Sequence, residues 1–233
     1  MILATSTSAF LTLHAAVAAA TRAPFQEAFR VTRGIASVGL AAIGFAVMIG
    51  ARDLAPLAWI VPERGPLAPA LIQVALGHFI ADALLLAWGA RRHGERPRPD
   101  LIAHHVLGGI GGGLALALHV AQELYLVLFT SELMPVTTGL SAIGALRGSA
   151  ALEALGARLR LGVLLGWRLP LWALLAALFV ANLASGPDPL RRTALLLCLG
   201  LLVPLVALDA SWVRKSLRAL RRSPGPADAD RAR

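Results

Sequence analysis

The stretch from Arg98 to Leu146, RPDLIAHHVLGGIGGGLALALHVAQELYLVLFTSELMPVTTGLSAIGAL, decides the fold. It is apolar over most of its length and contains no long polar loop. One crossing of a bilayer takes about 20 residues, so the stretch is too long to be a single span. Its polar residues gather at His119, Gln122 and Glu123, and the chain is expected to turn there and cross back. The first half starts as a basic loop and becomes a helix. Asp100, following Pro99, can cap that helix by accepting its free N–H groups. Alternatively, standing four residues before His104, it can orient that imidazole. His104 and His105 lie about one turn inside the apolar helix, and nothing in an ordinary span requires two imidazoles side by side. Five glycines between 108 and 113 then strip the helix surface, letting another helix or a lipid chain approach the backbone.

Working outward, apolar blocks near twenty residues long place seven spans. They cover residues 2–20, 34–50, 67–90, 101–119, 124–146, 161–184 and 193–213. The 233 residues are 57% hydrophobic and only 15% charged, where a soluble domain carries about a quarter charged residues. The fold class is therefore an all-α polytopic membrane bundle. Residues 1–222 form one transmembrane unit, and the Pro/Ala/Asp/Arg-rich segment 223–233 forms a disordered cytoplasmic tail. The net charge of +9 concerns topology and lipid headgroups. No aromatic-interleaved basic patch accompanies it, and no nucleic-acid partner is expected. Cys198 is the only cysteine and reads as a small core residue. The first span lacks a positively charged start and contains His14, so it reads as a span and not a cleaved signal peptide. Asp53–Pro66 reads as a proline-rich apolar loop that dips into the interface.

Orientation follows from arginine and lysine. Eighteen of the 22 lie in residues 22–33, 91–98, 147–168 and 214–233, and only Arg52, Arg64, Arg191 and Arg192 lie in the opposite set. The bias alternates correctly for seven spans and puts the N-terminus outside and the C-terminus in the cytoplasm. The expected location is a bacterial cytoplasmic membrane.

Ionisable groups inside a bilayer are costly and face a bundle interior or a cavity. At about 1.5 Å of rise per residue, Asp82, His104, His105, Arg168, Asp209 and His14 fall roughly 5–12 Å below the cytoplasmic ends of their spans. Coincident depth across five spans argues for one shared polar cavity open to the cytoplasm. His78 and Glu132 fall nearer mid-membrane. His78 and Asp82 are four apart on one helical face. The carboxylate can bond His78 or reach across to His104 or His105, fixing a tautomer as general-base chemistry requires. Pro135 removes the hydrogen bond to the Ser131 carbonyl and is expected to kink its span, widen the cavity and turn Glu132 inward.

Six histidines with one adjacent pair are too few for the clustered motifs of di-iron membrane enzymes. Zinc on His104, His105 and Asp82 is disfavoured, because neighbours on a regular helix chelate one metal poorly. A haem between His14 and His104 rests on axial histidines alone. Neither a metal nor a cofactor is expected.

The order of these motifs resembles the TLC-domain family, which includes ceramide synthases and the translocation-associated membrane proteins. His78–Asp82 is similar to the family's aromatic-x-x-Asp span. Asp100–His105 is similar to its Asp-x-x-x-His-His segment, and Ser131–Pro135 to its Glu-then-Pro element. Arg168 and Asp209–Trp212 are weaker echoes. The resemblance covers about residues 22–222. It implies a bundle around a central lipid cavity, and it maps the acyl-transfer centre of ceramide synthases onto His104 and His105. Ceramide synthases carry a further His-Asp-x-x-Asp element. Here the nearest segment is His119–Glu123, with Val120 where the first Asp would stand and Glu123 in place of the second.

Two functions follow as expectations. One is a lipid-modifying acyltransferase. In it His104 and His105, polarised by Asp82, act on a thioester or a lipid acceptor. Arg168 and the Arg91–Arg98 loop draw in acyl-CoA, as substrate, or a lipid phosphate. Glu132, His78, Asp209 and His14 complete the binding set. The other is a non-catalytic lipid-binding or regulatory protein using the same cavity. Membrane lipids are the expected partners in both.

Overall fold

Turn chemistry sets the helix ends. Arg22 takes a left-handed conformation (φ 49°) and closes the first helix, and Pro24 precedes the second. Pro99 stands in the first turn of the fourth helix, where a missing N–H costs nothing. His119 and Ala121 are both left-handed (φ 51° and 59°), a costly geometry for residues with a Cβ. They reverse the chain at the turn expected from His119, Gln122 and Glu123.

The computed structural model describes residues 1–50, 67–119 and 121–222, and their regular structure is helical throughout. The elements are α1 (Ile2–Thr21), α2 (Phe25–Gly50), α3 (Leu67–Arg92), α4 (Pro99–Leu118), α5 (Gln122–Val127), α6 (Leu133–Leu146), α7 (Ala150–Val163), α8 (Leu169–Ala184) and α9 (Pro189–Arg222). A tight 3₁₀ turn, Leu128–Glu132, joins α5 to α6, and a wide π turn, Leu164–Arg168, joins α7 to α8. Counting each joined pair as one, seven helical stretches are long and apolar enough to cross a membrane. The chain is a multi-pass membrane protein.

Its surface is inverted relative to a soluble domain. Ile35, Val38, Leu84, Ile110, Val180 and Val203 point outward, whereas Arg33, Asp82, His105, Glu132, Arg168 and Asp209 are buried. That distribution suits a hydrocarbon surround, in which unpaired charge is the costly element.

Small residues let the helices approach. Gly34 of α2 meets Gly139 of α6, and a Cβ on either would stand 3.1 Å from the other's Cα. This close crossing brings the α2 face that carries Arg33 and Ser37 against α6. The glycines of α4 behave differently from expectation. Gly108 and Gly112 receive the rings of Phe79 and Tyr125, while Gly109 and Gly113 have open space at the Cβ position. Aromatic side chains, and not a neighbouring backbone, fill the notch.

Both irregular turns are tied to prolines. Pro135 cannot donate to the Ser131 carbonyl, and Arg168 Nη1 donates to that carbonyl instead at 3.1 Å. Pro170 cannot donate to Gly166, and the helix widens into the π turn just before it.

Several expectations are corrected. The second span begins at Phe25 and not at residue 34, so Arg30 and Arg33 belong to a helix and not to a connection. The sixth begins at Ala150, where Ser149 accepts the Leu152 N–H at 3.4 Å, so Arg158 and Arg160 are helical too. The seventh runs from Pro189 to Arg222. Asp100 makes no helix cap, because Pro99 moves the helix start back and sets Asp100 inside the first turn. The Asp53–Pro66 loop and the 223–233 tail lie outside the described residues.

Candidate functional site

The site is built from α2, α3, α4, the α5–α6 junction, the π turn and α9. On α3, one helical turn aligns His78 and Asp82. On α4, His104 and His105 diverge by about 100°, and each therefore meets a different carboxylate.

His105 Nε2 lies 3.0 Å from Asp82 Oδ2. The contact is not linear, and neither ring nitrogen of His105 makes a well-directed hydrogen bond. Arg33 Nε donates to the same Asp82 oxygen, and His78 Nε2 stands 3.9 Å from it. His104 Nε2 lies 3.6 Å from Glu132 Oε1, and the Ser37 hydroxyl donates to Glu132 Oε2 at 3.4 Å. In both histidines the carboxylate faces Nε2, and Nδ1 is buried with no hydrogen-bond partner. Buried polar atoms are nearly always satisfied, so two unpartnered imidazole nitrogens on successive residues are unusual.

Aromatic rings fix the imidazoles. Phe79 packs on His105 with centroids 5.0 Å apart, and Trp212 packs edge-on to His104 at 5.6 Å. His78 lies between Phe10 and His105, at 4.6 and 6.3 Å.

A second group adjoins the first. Arg168 Nε donates to Asp209 Oδ2 at 2.8 Å, and Trp172 Nε1 donates to the same oxygen at 2.7 Å. The Arg168 guanidinium also lies against Trp172 and Trp212, with its carbon 5.6 and 5.5 Å from the ring centroids. Arg168 and Asp209 are fully buried. The two charges neutralise each other with cation–π support, so Arg168 does not offer a free cation to a substrate, although Arg168 Nη2 and Asp209 Oδ1 are buried without a hydrogen-bond partner. Trp212 touches both groups, and its Nε1 donates to Asp100 Oδ2 at 2.9 Å. Lys215 reaches the same oxygen at 2.8 Å.

His78, Asp82, His104, His105 and Glu132 are thus brought together, with Arg168 and Asp209 alongside. His78 and Glu132 share the layer of the histidine pair instead of lying deeper. His14 stands elsewhere. Its Nδ1 is 3.3 Å from the Thr32 hydroxyl, and its ring sits among Phe25, Phe29 and Trp88.

The expected shared cavity is not one of the two that flank the layer. Neither of two cavities beside the layer is lined by His104, His105, Asp82 or Arg168. The first is an apolar cleft of about 90 Å³ between α4, α5, α8 and α9, lined by Gly108, Gly111, Tyr125, Trp172 and Leu202 among others. The second is a polar basin of about 560 Å³ whose walls include Arg30, Arg33, Arg98, Asp100, Arg160 and Trp212. Arg33 and Trp212 form the partition, since each touches the buried layer on one side and the basin on the other.

Sequence reasoning missed Arg33 and Ser37. With the second span expected to start at residue 34, Arg33 counts among the connecting arginines. The available signal was Pro24, which marks an earlier helix start. Trp172 carried no signal beyond its position four residues after Arg168.

Among the described residues, no three His, Cys, Asp or Glu side chains are disposed to hold a metal ion. The fold and the site together define a polytopic helical membrane protein with a buried histidine–carboxylate layer. No protein-family model, curated protein or solved structure matches the chain.

Proposed function

We propose that this protein is a lipid-modifying acyltransferase of the bacterial cytoplasmic membrane, with the N-terminus outside and the C-terminus in the cytoplasm. The observation that carries this reading is the pair of carboxylate–imidazole contacts, His105–Asp82 at 3.0 Å and His104–Glu132 at 3.6 Å, each leaving Nδ1 unpartnered. A carboxylate at Nε2–H orients the ring and stabilises the imidazolium that forms when Nδ1 takes a proton. The resemblance to TLC-domain proteins, carried by the His-His, Asp and Glu-Pro elements, points to the same chemistry.

The reaction balances without a cofactor. His105 Nδ1 takes the proton of an acceptor hydroxyl or amine as that atom attacks the thioester carbonyl of acyl-CoA. The acyl carbon–sulfur bond breaks, the imidazolium returns its proton to the thiolate, and an acylated lipid and CoA thiol leave. The basin beyond Arg33 and Trp212 faces the donor, and the apolar cleft behind Tyr125 suits an acyl chain. For the thioester to reach His105, the Trp212 side of the partition has to open.

The orientation rests on arginine and lysine. Arg33 and Arg168 are buried in ion pairs and do not count as loop charge. Without them the bias is still 16 to 4. The basin also draws its walls from the near ends of the second, fourth, fifth, sixth and seventh spans and from the connection before the fourth, which is consistent with alternating crossings.

The second reading is a non-catalytic lipid-binding protein. It is favoured by the tight packing around the histidines, since neither flanking cavity reaches them. Comparing membrane lipids of a deletion strain complemented with wild type or with His105→Ala separates the two. A lipid class restored by wild type and not by His105→Ala supports the enzyme. Equal restoration by both supports the binder.

A further inference from the structure

The basin at the arginine-rich end of the bundle has an unusual charge composition. Arg30, Arg33, Arg96, Arg98, Arg160 and Lys215 line it, and among the described residues Asp100 is the only acidic one in its wall. Three of the cations meet a carboxylate: Arg33 pairs with Asp82, and Lys215 and Arg98 share Asp100, at 2.8 and 3.6 Å. Arg30, Arg96 and Arg160 have no acidic partner among the described residues.

Arg160 is the most telling. Its Nε is buried and makes no hydrogen bond, although a guanidinium N–H is among the strongest donors a protein has. Arg30 and Arg98 are close enough to repel it. These three guanidinium groups line one basin, and one of them keeps a buried donor unused, which costs a fold stability unless a ligand answers it. Ser141 and Thr138 add hydroxyls to the same wall, beside Met134 and Pro135 of α6.

We infer that Arg30, Arg98 and Arg160 form a binding site for a phosphate group in this basin. Phosphate matches the planar fork of arginine in geometry and supplies the charge that the basin lacks. The basin volume, about 560 Å³, falls within the range of small-molecule sites and exceeds what a lone ion fills. The phosphate therefore belongs to a larger molecule, either a nucleotide-bearing carrier such as coenzyme A or the headgroup of an anionic lipid. The inference concerns the site and not the reaction, so it holds for a catalyst and for a lipid binder alike.

The test uses the full chain in an uncharged maltoside detergent, with free coenzyme A as one probe and phosphatidic acid in mixed micelles as the other. At least one probe raises the unfolding temperature of the wild type, with an effect that declines as salt is added. Which probe does so identifies the source of the phosphate. Arg30→Gln and Arg160→Gln each weaken binding about tenfold or more. Arg160→Lys keeps the charge but not the fork and falls between. Arg191→Gln, outside the basin, binds as the wild type does. Without any probe, Arg160→Gln melts higher than wild type, because a repelling, unpaired charge has been removed. The inference is overturned if neither probe stabilises the wild type, if both Gln variants respond as wild type does, or if Arg160→Gln alone lowers the unfolding temperature without ligand.

Discussion

Asp82 uses one oxygen, Oδ2, to meet both His105 Nε2, at 3.0 Å, and the Arg33 guanidinium. It therefore has two tasks, orienting an imidazole and neutralising a buried arginine, and substitutions at Asp82 disturb both.

Asp82→Asn illustrates the consequence. Asparagine leaves Arg33 buried without a counter-charge, which costs about 3–5 kcal/mol. The single variant should therefore unfold at markedly lower temperature as well as losing activity. Adding Arg33→Gln should recover most of the stability, because the uncompensated charge is gone, but no activity. Thermal unfolding in detergent and lipid product, measured on the two single variants and the double, check this. Equal stability of Asp82→Asn and wild type would contradict the assigned pair.

The two histidines should differ in weight. The His105 contact is 3.0 Å and its partner is fixed by Arg33, whereas His104 stands 3.6 Å from Glu132. A positioned general base contributes about 10²–10⁴ in rate. His105→Ala should lose that whole factor, and His104→Ala and Glu132→Gln should lose less. Initial rates of label transfer from acyl-CoA rank the three variants.

Arg168 and Asp209 form a pair whose main effect is on stability. Arg168→Gln leaves the Asp209 carboxylate and the Ser131 carbonyl without the donors at 2.8 and 3.1 Å, at a fully buried position. The expected loss is about 3–5 kcal/mol. Pairing it with Asp209→Asn should recover part of that loss. A melting temperature for Arg168→Gln within a degree of wild type would show that the pair does not hold α8 to α9.

Topology gives a separate check. A reporter active only in the cytoplasm, fused after Arg233, should be active, and one fused before Ile2 should be silent. A silent C-terminal fusion would reverse the orientation drawn from the arginine bias.

Much of the fold was legible because a bilayer sets strict rules. Seven apolar blocks and an alternating arginine bias sufficed for seven spans, including the turn at His119. Pro135 pointed correctly to a break in the helix and to an inward Glu132. What escaped were features set by tertiary partners. Whether an arginine ends a span or enters it depends on a carboxylate elsewhere. Arg33 has Asp82 on α3, and no local pattern announces that. Asp100 read as a cap for the same reason, since its partners, Trp212 and Lys215, lie more than a hundred residues away. Depth along a helix could be estimated from residue counts, but lateral position could not. His14 shares the estimated depth of His105, yet it faces Thr32 and a separate aromatic group.

The most direct test of the central claim is single-turnover acyl transfer by the purified protein. Wild type and His105→Ala, matched for folding by their unfolding temperatures, are mixed with radiolabelled long-chain acyl-CoA and a bacterial membrane lipid extract. Free CoA thiol and labelled lipid are measured together. The account predicts thiol release and lipid labelling in equal amounts with wild type, and a loss of both by at least a hundredfold with His105→Ala. No labelled lipid from wild type, or equal labelling by both proteins, would contradict a catalytic histidine site.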